Sequence, residues 1–260
     1  MKQTTVPESV LKVIRSSASA HDGGLLTIDS PLSPKDYKAV NAALEALGGK
    51  WNRGKKAHVF AGKSKAEVCE LLANVLATGA VTTAADLGWF PTPAELADSL
   101  ASMIPTENLG LVLEPSAGEG ALVRAILRRN PSSRILAVEV HEARAKALAS
   151  IGPSVEVTPG DFLGIAPSGC ARFDAVLMNP PFAPARADIK HVKHALKFLR
   201  PGGTLVAVMS RGVDFRVDKV TEDFRGGILA MGGTIEPLPS DSFRQSGTRV
   251  ETSVIRVAAV

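Results

Sequence analysis

Leu111-Val112-Leu113-Glu114-Pro115-Ser116-Ala117-Gly118-Glu119-Gly120, running directly into Ala121-Leu122-Val123-Arg124-Ala125-Ile126-Leu127-Arg128-Arg129, is the stretch whose reading decides the fold. The apolar run predicts a short buried strand, and the helical pattern from Ala121 to Arg129 predicts a helix. Between them, small residues at Ala117, Gly118 and Gly120 predict a tight turn in which backbone N–H groups approach a ligand. The helix start behind that turn would favour an anionic group.

Working downstream, the same alternation recurs. Strand-like runs lie at Ile135 to Val140, Val155 to Val157, Ala175 to Met178 and Leu205 to Met209, and helical patterns at Ala143 to Ser150 and Ile189 to Leu199. Strands rich in Val, Ile and Leu on both faces, separated by helices, predict a parallel sheet covered on both sides. Two further strands are expected around Ile235 and from Val250 to Val257, the last partly alternating, as in an antiparallel partner. The fold class is therefore α/β: a doubly wound, mostly parallel seven-stranded sheet.

In such sheets ligands bind outside the carboxyl ends of the strands, where the strand order reverses. Glu139, near the end of the second run, stands where nucleoside-binding folds place a carboxylate for the ribose hydroxyls. Asp161, in Gly160-Asp161-Phe162, is placed to accept from an exocyclic amine while Phe162 covers the ring. The most informative strand end is Phe173-Asp174-Ala175-Val176-Leu177-Met178-Asn179-Pro180-Pro181-Phe182, an apolar strand that breaks into two prolines behind an amide. An amino or amide nitrogen is a poor nucleophile because its lone pair is delocalised. The Asn179 side-chain carbonyl and the Pro180 backbone carbonyl would accept from both of its N–H groups and return density to nitrogen, held in place by proline rigidity. Phe182 would offer a flat face to a planar substrate.

Upstream, Phe90-Pro91-Thr92-Pro93-Ala94-Glu95 predicts a helix start with a capping box from Thr92 to Glu95 and Pro93 in the first turn. Its N–H donors would face a carboxylate. The residues before it read as a separate small α+β module, 1–80, ahead of a domain at 81–260, with 81–88 as linker. A strand is expected at Leu25 to Ile28 and a helix starting at Ser33-Pro34, with Tyr37, Val40, Ala43, Leu44 and Leu47 on one face and a stop at Gly48-Gly49. Two short strands flank the turn Arg53-Gly54-Lys55-Lys56, and Ser64 to Glu67 forms a capping box for a second helix.

The 260 residues carry a formal charge of +4 and are 45% hydrophobic, and no segment approaches the roughly 20 apolar residues that cross a bilayer. No membrane role is expected, and the polar start Met1-Lys2-Gln3-Thr4-Thr5 makes cytoplasm the default. Cys69 and Cys170 are isolated and read as reduced core residues. His191 and His194 lack a third ligand and read as surface residues, so no metal is expected. The charge is unevenly placed: Lys50, Arg53, Lys55, Lys56, Lys63 and Lys65 cluster with no acid among them. With Trp51, His58 and Phe60 this is the best candidate nucleic-acid contact. Arg211, Arg216 and Arg225 are candidates for further phosphate contacts.

On these motifs, residues 88–260 resemble the class I methyltransferases, and in particular the N6-adenine DNA methyltransferases of plasmid and phage type. That resemblance implies S-adenosylmethionine as cofactor and DNA as partner. It assigns the cofactor site to Phe90, Thr92 and Pro93, to Glu114, Pro115, Ala117, Gly118 and Gly120, to Glu139, and to Asp161 with Phe162. Asn179, Pro180 and Phe182 would hold the target amino group. Phe243-Arg244-Gln245-Ser246-Gly247-Thr248 resembles, more loosely, a loop that packs an extruded base, which makes Phe243 a substrate contact beside Lys50, Arg53, Lys55 and Lys56. The Asn-Pro-Pro-aromatic motif is shared with release-factor glutamine methyltransferases and ribosomal RNA amino-group methyltransferases. RNA, a protein glutamine, or a non-catalytic nucleic-acid-binding role therefore stay open. No residues after Val260 supply a large target-recognition domain, so short or relaxed site specificity is expected.

Overall fold

In a computed structural model of the protein, two compact units are formed, Met1–Leu87 and Gly88–Val260. The structure describes residues 4–60, 62–81, 90–107, 109–167, 173–182, 186–246 and 250–259. The expected linker thus lies, beyond Val81, outside the described residues.

The first unit contains β1 (Thr4–Thr5), α1 (Glu8–Ser17), β2 (Ala18–His21), β3 (Leu25–Ile28), α2 (Pro34–Ala46), β4 (Lys50–Asn52), β5 (Ala57–Val59), α3 (Lys65–Thr78) and β6 (Ala80–Val81). The sequence patterns do not announce the first three. Helix α1 has Pro7 at its N-cap with no capping side chain, and β2 is short and half-exposed. The other signals act as expected. Ser33 Oγ accepts from the Asp36 amide, and Ser64 and Glu67 cap each other reciprocally. Strands β2, β3, β5 and β4 form an antiparallel sheet in that order, and β1 pairs with β6 through Thr4 and Val81. Residue 81 therefore stands with the first unit rather than at the head of the second. The helices close over a core of Leu26, Val40, Leu44, Phe60, Val68 and Val75. Gly49 is required there, since a Cβ would stand 2.7 Å from the Phe60 ring. Cys69, expected in the core, is exposed on α3, and Cys170 lies outside the described residues.

The second unit contains α4 (Ala94–Ser102), β7 (Leu111–Glu114), α5 (Ala121–Arg129), β8 (Arg134–Glu139), α6 (Glu142–Ala149), β9 (Val155–Pro159), β10 (Phe173–Met178), α7 (Ala187–Ala195), β11 (Leu199–Ser210), α8 (Gly212–Phe215), α9 (Lys219–Ala230), β12 (Thr234–Pro237) and β13 (Thr252–Ala258). Among the described residues seven strands form one sheet in the order β12-β13-β11-β10-β7-β8-β9. Pairing is parallel from β11 to β9 and antiparallel around β13. Alternate residues feed two cores. Val112, Ala175, Leu177 and Val206 pack with α4 and α5, while Leu113, Val176, Met178 and Leu205 pack with α7 and α9. Burial of both faces explains why these strands read as unbroken apolar runs. Each of the Val, Leu and Met side chains contributes roughly 1.5–3 kcal/mol of transfer free energy.

The chain winds outward from β7 in one direction through β8 and β9, and from β10 in the other through β11. Strand order therefore reverses between β7 and β10, and the crevice for a ligand opens beyond their carboxyl ends. Their amino ends are locked by Asp174, whose Oδ2 accepts from the Gly110 and Leu111 amides while Oδ1 pairs with Arg200. Burial works to raise the Asp174 pKa, but the Arg200 guanidinium and the two amides outweigh it and hold the carboxyl below its ordinary value.

Candidate active site

At that crevice a pocket is lined by Phe90, Pro91, Thr92, Glu114, Ser116, Ala117, Gly118, Glu119, Ala121, Leu122 and Asn179. It joins three separate segments: the approach to α4, the loop after β7, and the end of β10.

Asn179 is 9% exposed, and its Nδ2 donates to the Phe90 carbonyl and to Thr92 Oγ1, both at 3.0 Å. A backbone carbonyl can only accept, so the orientation of the amide is determined. Its Oδ1 is buried and has no partner among the described residues. An unmet buried acceptor costs about 1–3 kcal/mol, which a ligand N–H would recover. Pro180 is buried behind it, and Phe182, half-buried, stands 5.7 Å from the Phe90 ring.

The expected capping box at Thr92 does not form. Helix α4 begins at Ala94 with Pro93 at the N-cap and no side-chain cap, because the Thr92 hydroxyl is taken by Asn179. A residue that reads as a local helix signal serves a partner 87 positions away.

The loop after β7 also departs from expectation. The Ser116 amide donates to Glu114 Oε1, Ala117 to the Val138 carbonyl, Gly118 to Glu139 Oε2 and Gly120 to the Ala117 carbonyl. These N–H groups brace the loop rather than await an anion. Gly120 adopts φ 82°, and a Cβ there would meet Leu148 and Ile151 at 2.7 Å. Its smallness is required for the seat of α5 on the neighbouring elements.

Two buried acids flank this loop. Glu114 has no exposed surface, and its Oε2 lacks a partner among the described residues. Burial pushes its pKa to about 8, with the Ser116 amide working against the rise and the Glu139 charge adding to it. Glu139, 4% exposed, is fully oriented: Oε1 takes the His141 amide and the Arg144 guanidinium, and Oε2 takes the Gly118 amide. Arg144, which sequence reasoning missed, carries no motif. The turn from β8 into α6 is what brings it back onto the acid.

The remaining expected residues are dispersed. Pro115 is buried in the turn. Asp161 is exposed after β9 and accepts from the Leu163 amide, while Phe162 is 2% exposed among His191, His194 and Phe198. The Phe162 ring thus belongs to the aromatic packing under α7. Neither lines the pocket with Asn179. His191, expected at the surface, is buried with Nδ1 on the Ala187 carbonyl, and His194 Nε2 bonds the Ile165 carbonyl. Phe243 is 1% exposed and sits in the sheet core, so it cannot be a substrate contact. Gly247 and Thr248 lie outside the described residues. Arg211 pairs with Asp214, and Arg225 donates to the carbonyls of Val213, Asp214 and Arg216, so both brace α8 rather than await phosphate. Arg216 is exposed. In the first unit, Lys50, Arg53, Lys55 and Lys56 are all exposed.

Residues 96–225, half of the chain, match the methyltransferase small domain family. Release factor glutamine methyltransferase of Mycolicibacterium smegmatis is 28% identical over 143 residues, covering 51% of this chain and 49% of that protein. The chain thus spans about half the length of this relative. A protein from Listeria monocytogenes described as a class I S-adenosylmethionine-dependent methyltransferase superposes with TM-score 0.52 at 12% identity, over 97% of this chain and 87% of its own. An O-methyltransferase of tomaymycin synthesis from Streptomyces achromogenes, solved with S-adenosylmethionine, superposes with TM-score 0.50 at 19% identity, over 66% and 82%. With the switch point between β7 and β10 and the pocket above it, these matches make the chain a member of the methyltransferase small domain family, carrying the class I S-adenosylmethionine-dependent methyltransferase fold.

Proposed function

We propose that the protein transfers a methyl group to the N6 amino group of adenine in DNA. The methyl donor is S-adenosylmethionine, which supplies an electrophilic methyl on a sulfonium centre. Two features support that donor at this pocket. A sulfonium is cationic and carries no phosphate, and the loop after β7 presents internally bonded amides beside two acids instead of an anion cradle. Glu114, kept neutral below about pH 8 by burial, has one unpartnered buried oxygen for a ligand's polar group to meet, and Glu139 keeps Oε2 with a single protein donor for a hydroxyl.

One observation carries the nitrogen chemistry: the buried, unpartnered Oδ1 of Asn179, on a side chain whose other end is tied down twice. Such an acceptor binds an amino N–H and withdraws no charge from the nitrogen, keeping its lone pair available for in-line attack. Preset by Phe90 and Thr92, it needs no reorganisation when substrate arrives. On accepting the methyl the nitrogen becomes cationic and a far stronger acid, and it then gives up its proton to solvent. Phe182 at the rim suits a planar base removed from its stack.

Adenine in DNA is favoured by the Phe-x-Thr-Pro and Glu-Pro-x-x-Gly-x-Gly context of the motif and by the unneutralised cations at residues 50–56. A second reading, methylation of a protein glutamine amide, is favoured by the likeness to release factor glutamine methyltransferase. Transfer of labelled methyl to unmethylated DNA, ribosomal RNA and release factor, followed by mass analysis of the hydrolysed product, tests both. N6-methyladenine from DNA is expected. Label recovered only as methylglutamine would replace the first reading with the second, and tight DNA binding with no transfer to any acceptor would remove the enzymatic one.

A further inference from the structure

Trp51 occupies the middle of β4, an edge strand of the first unit's four-stranded sheet, and all three residues of that strand are exposed. The indole is 41% exposed and Tyr37, beside it on α2, is 46% exposed. The two rings meet edge to face with centroids 6.2 Å apart, and His58 braces the indole at 5.1 Å. His58 is itself held. Asn41 Nδ2 donates to Glu45, so Asn41 Oδ1 must accept from His58 Nε2, and the imidazole is buried as the Nε2–H tautomer. An aromatic pair in this setting is braced on one side and left half open to solvent.

The turn next to it is cationic. Asn52 Oδ1 holds the Lys55 amide, Lys56 takes a left-handed conformation at φ 48°, and Arg53, Lys55 and Lys56 all project from the exposed turn. Among the described residues none of these, nor Lys50, forms an ion pair. The nearby acids are engaged elsewhere: Asp36 with Ser33, Glu45 with Asn41, Glu67 with Ser64. Unpaired cations and an open indole on one short hairpin match a ligand that alternates anions with flat rings.

From this we infer that the hairpin of β4 and β5 is a binding site for an unpaired DNA strand, with a base stacked on Trp51 and phosphates on the turn cations. A duplex offers the same phosphates but hides its base faces, so only an unpaired strand satisfies both features. The choice of DNA rests on the function proposed above; the alternation of ring and phosphate does not.

The test uses the full chain with Trp89→Phe, which leaves Trp51 as the sole tryptophan, and a single-stranded oligothymidine, which has no adenine to methylate. Quenching of Trp51 emission is expected, with affinity falling steeply as salt rises. Trp51→Ala, followed by fluorescence anisotropy of end-labelled oligothymidine because the indole reporter is gone, should weaken binding about ten-fold or more at unchanged salt slope. Lys55→Glu with Lys56→Glu should flatten the slope by about one to two. Absent quenching, or an unaltered affinity in Trp51→Ala, would overturn the site. Equal binding of polyglutamate would convert it to a site for acidic protein, and tighter binding of oligouridine would convert it to an RNA site. Because oligothymidine is no substrate, loss of methyl transfer to adenine leaves this result untouched.

Discussion

Strands β7 and β10 lie side by side, run parallel, and end in loops of opposite character. After β7 the backbone closes on itself, and the amides of Ser116, Ala117, Gly118 and Gly120 are all bonded within the protein. After β10 the prolines remove donors altogether, and Asn179 keeps its acceptor open while its donor end is tied to Phe90 and Thr92. The first loop is a frame whose polar groups satisfy one another. The second holds one poised polar atom, and unmet buried groups mark where chemistry is to be expected.

The largest expected effect comes from removing the poised atom. Asn179→Ala should lower turnover by about 10²–10³-fold, the scale for losing one preorganised polar contact to the reacting group. S-adenosylmethionine affinity, measured by calorimetry, should change far less than turnover, since the loop after β7 is untouched even though Phe90 and Thr92 lose their tie. Turnover near that of the parent would remove Asn179 from the mechanism.

A smaller effect tests the frame. Glu114 has its pKa raised from 4.5 to about 8, so between those values the folded protein holds a proton that the unfolded chain has released. Stability should therefore fall as pH rises through that window, by at most roughly 1.4 kcal/mol per pH unit. Glu114→Gln should flatten this dependence in urea unfolding between pH 5 and pH 8. An unchanged slope in the variant would show that other groups set it.

Smallest is the link between the two loops' neighbours. Thr92→Val removes one of the two anchors of Asn179 while keeping its shape, and should cost turnover about ten-fold, near the 1–1.5 kcal/mol of one hydrogen bond. Because Thr92 caps nothing, the melting temperature should move by only a degree or two. A large loss of stability with unchanged turnover would restore the capping role instead.

How much of this was legible beforehand varied with the range of the interaction. The strands of the second unit, α5 over 121–129, the antiparallel last strand and the caps at Ser33 and Ser64 all follow from local periodicity and short hydrogen bonds. Local patterns misled where a side chain had a distant partner. Thr92 looks like a cap, Phe243 like a base contact and His191 like a surface residue, yet each is settled by packing from elsewhere in the chain. Arg144 was invisible because no spacing rule joins it to Glu139.

By itself, then, the sequence determined the α/β layering, since unbroken apolar strands separated by amphipathic helices leave few other ways to bury both faces. It also placed Asn179 at a strand end, because two prolines cannot continue a ladder. Only the tertiary structure decided which of that amide's two ends is free, that the glycine loop braces itself, and that Trp51 stands open beside unpaired cations. Hydrogen-bond satisfaction is a property of the whole fold: whether a polar atom is met or orphaned depends on residues far away in the chain.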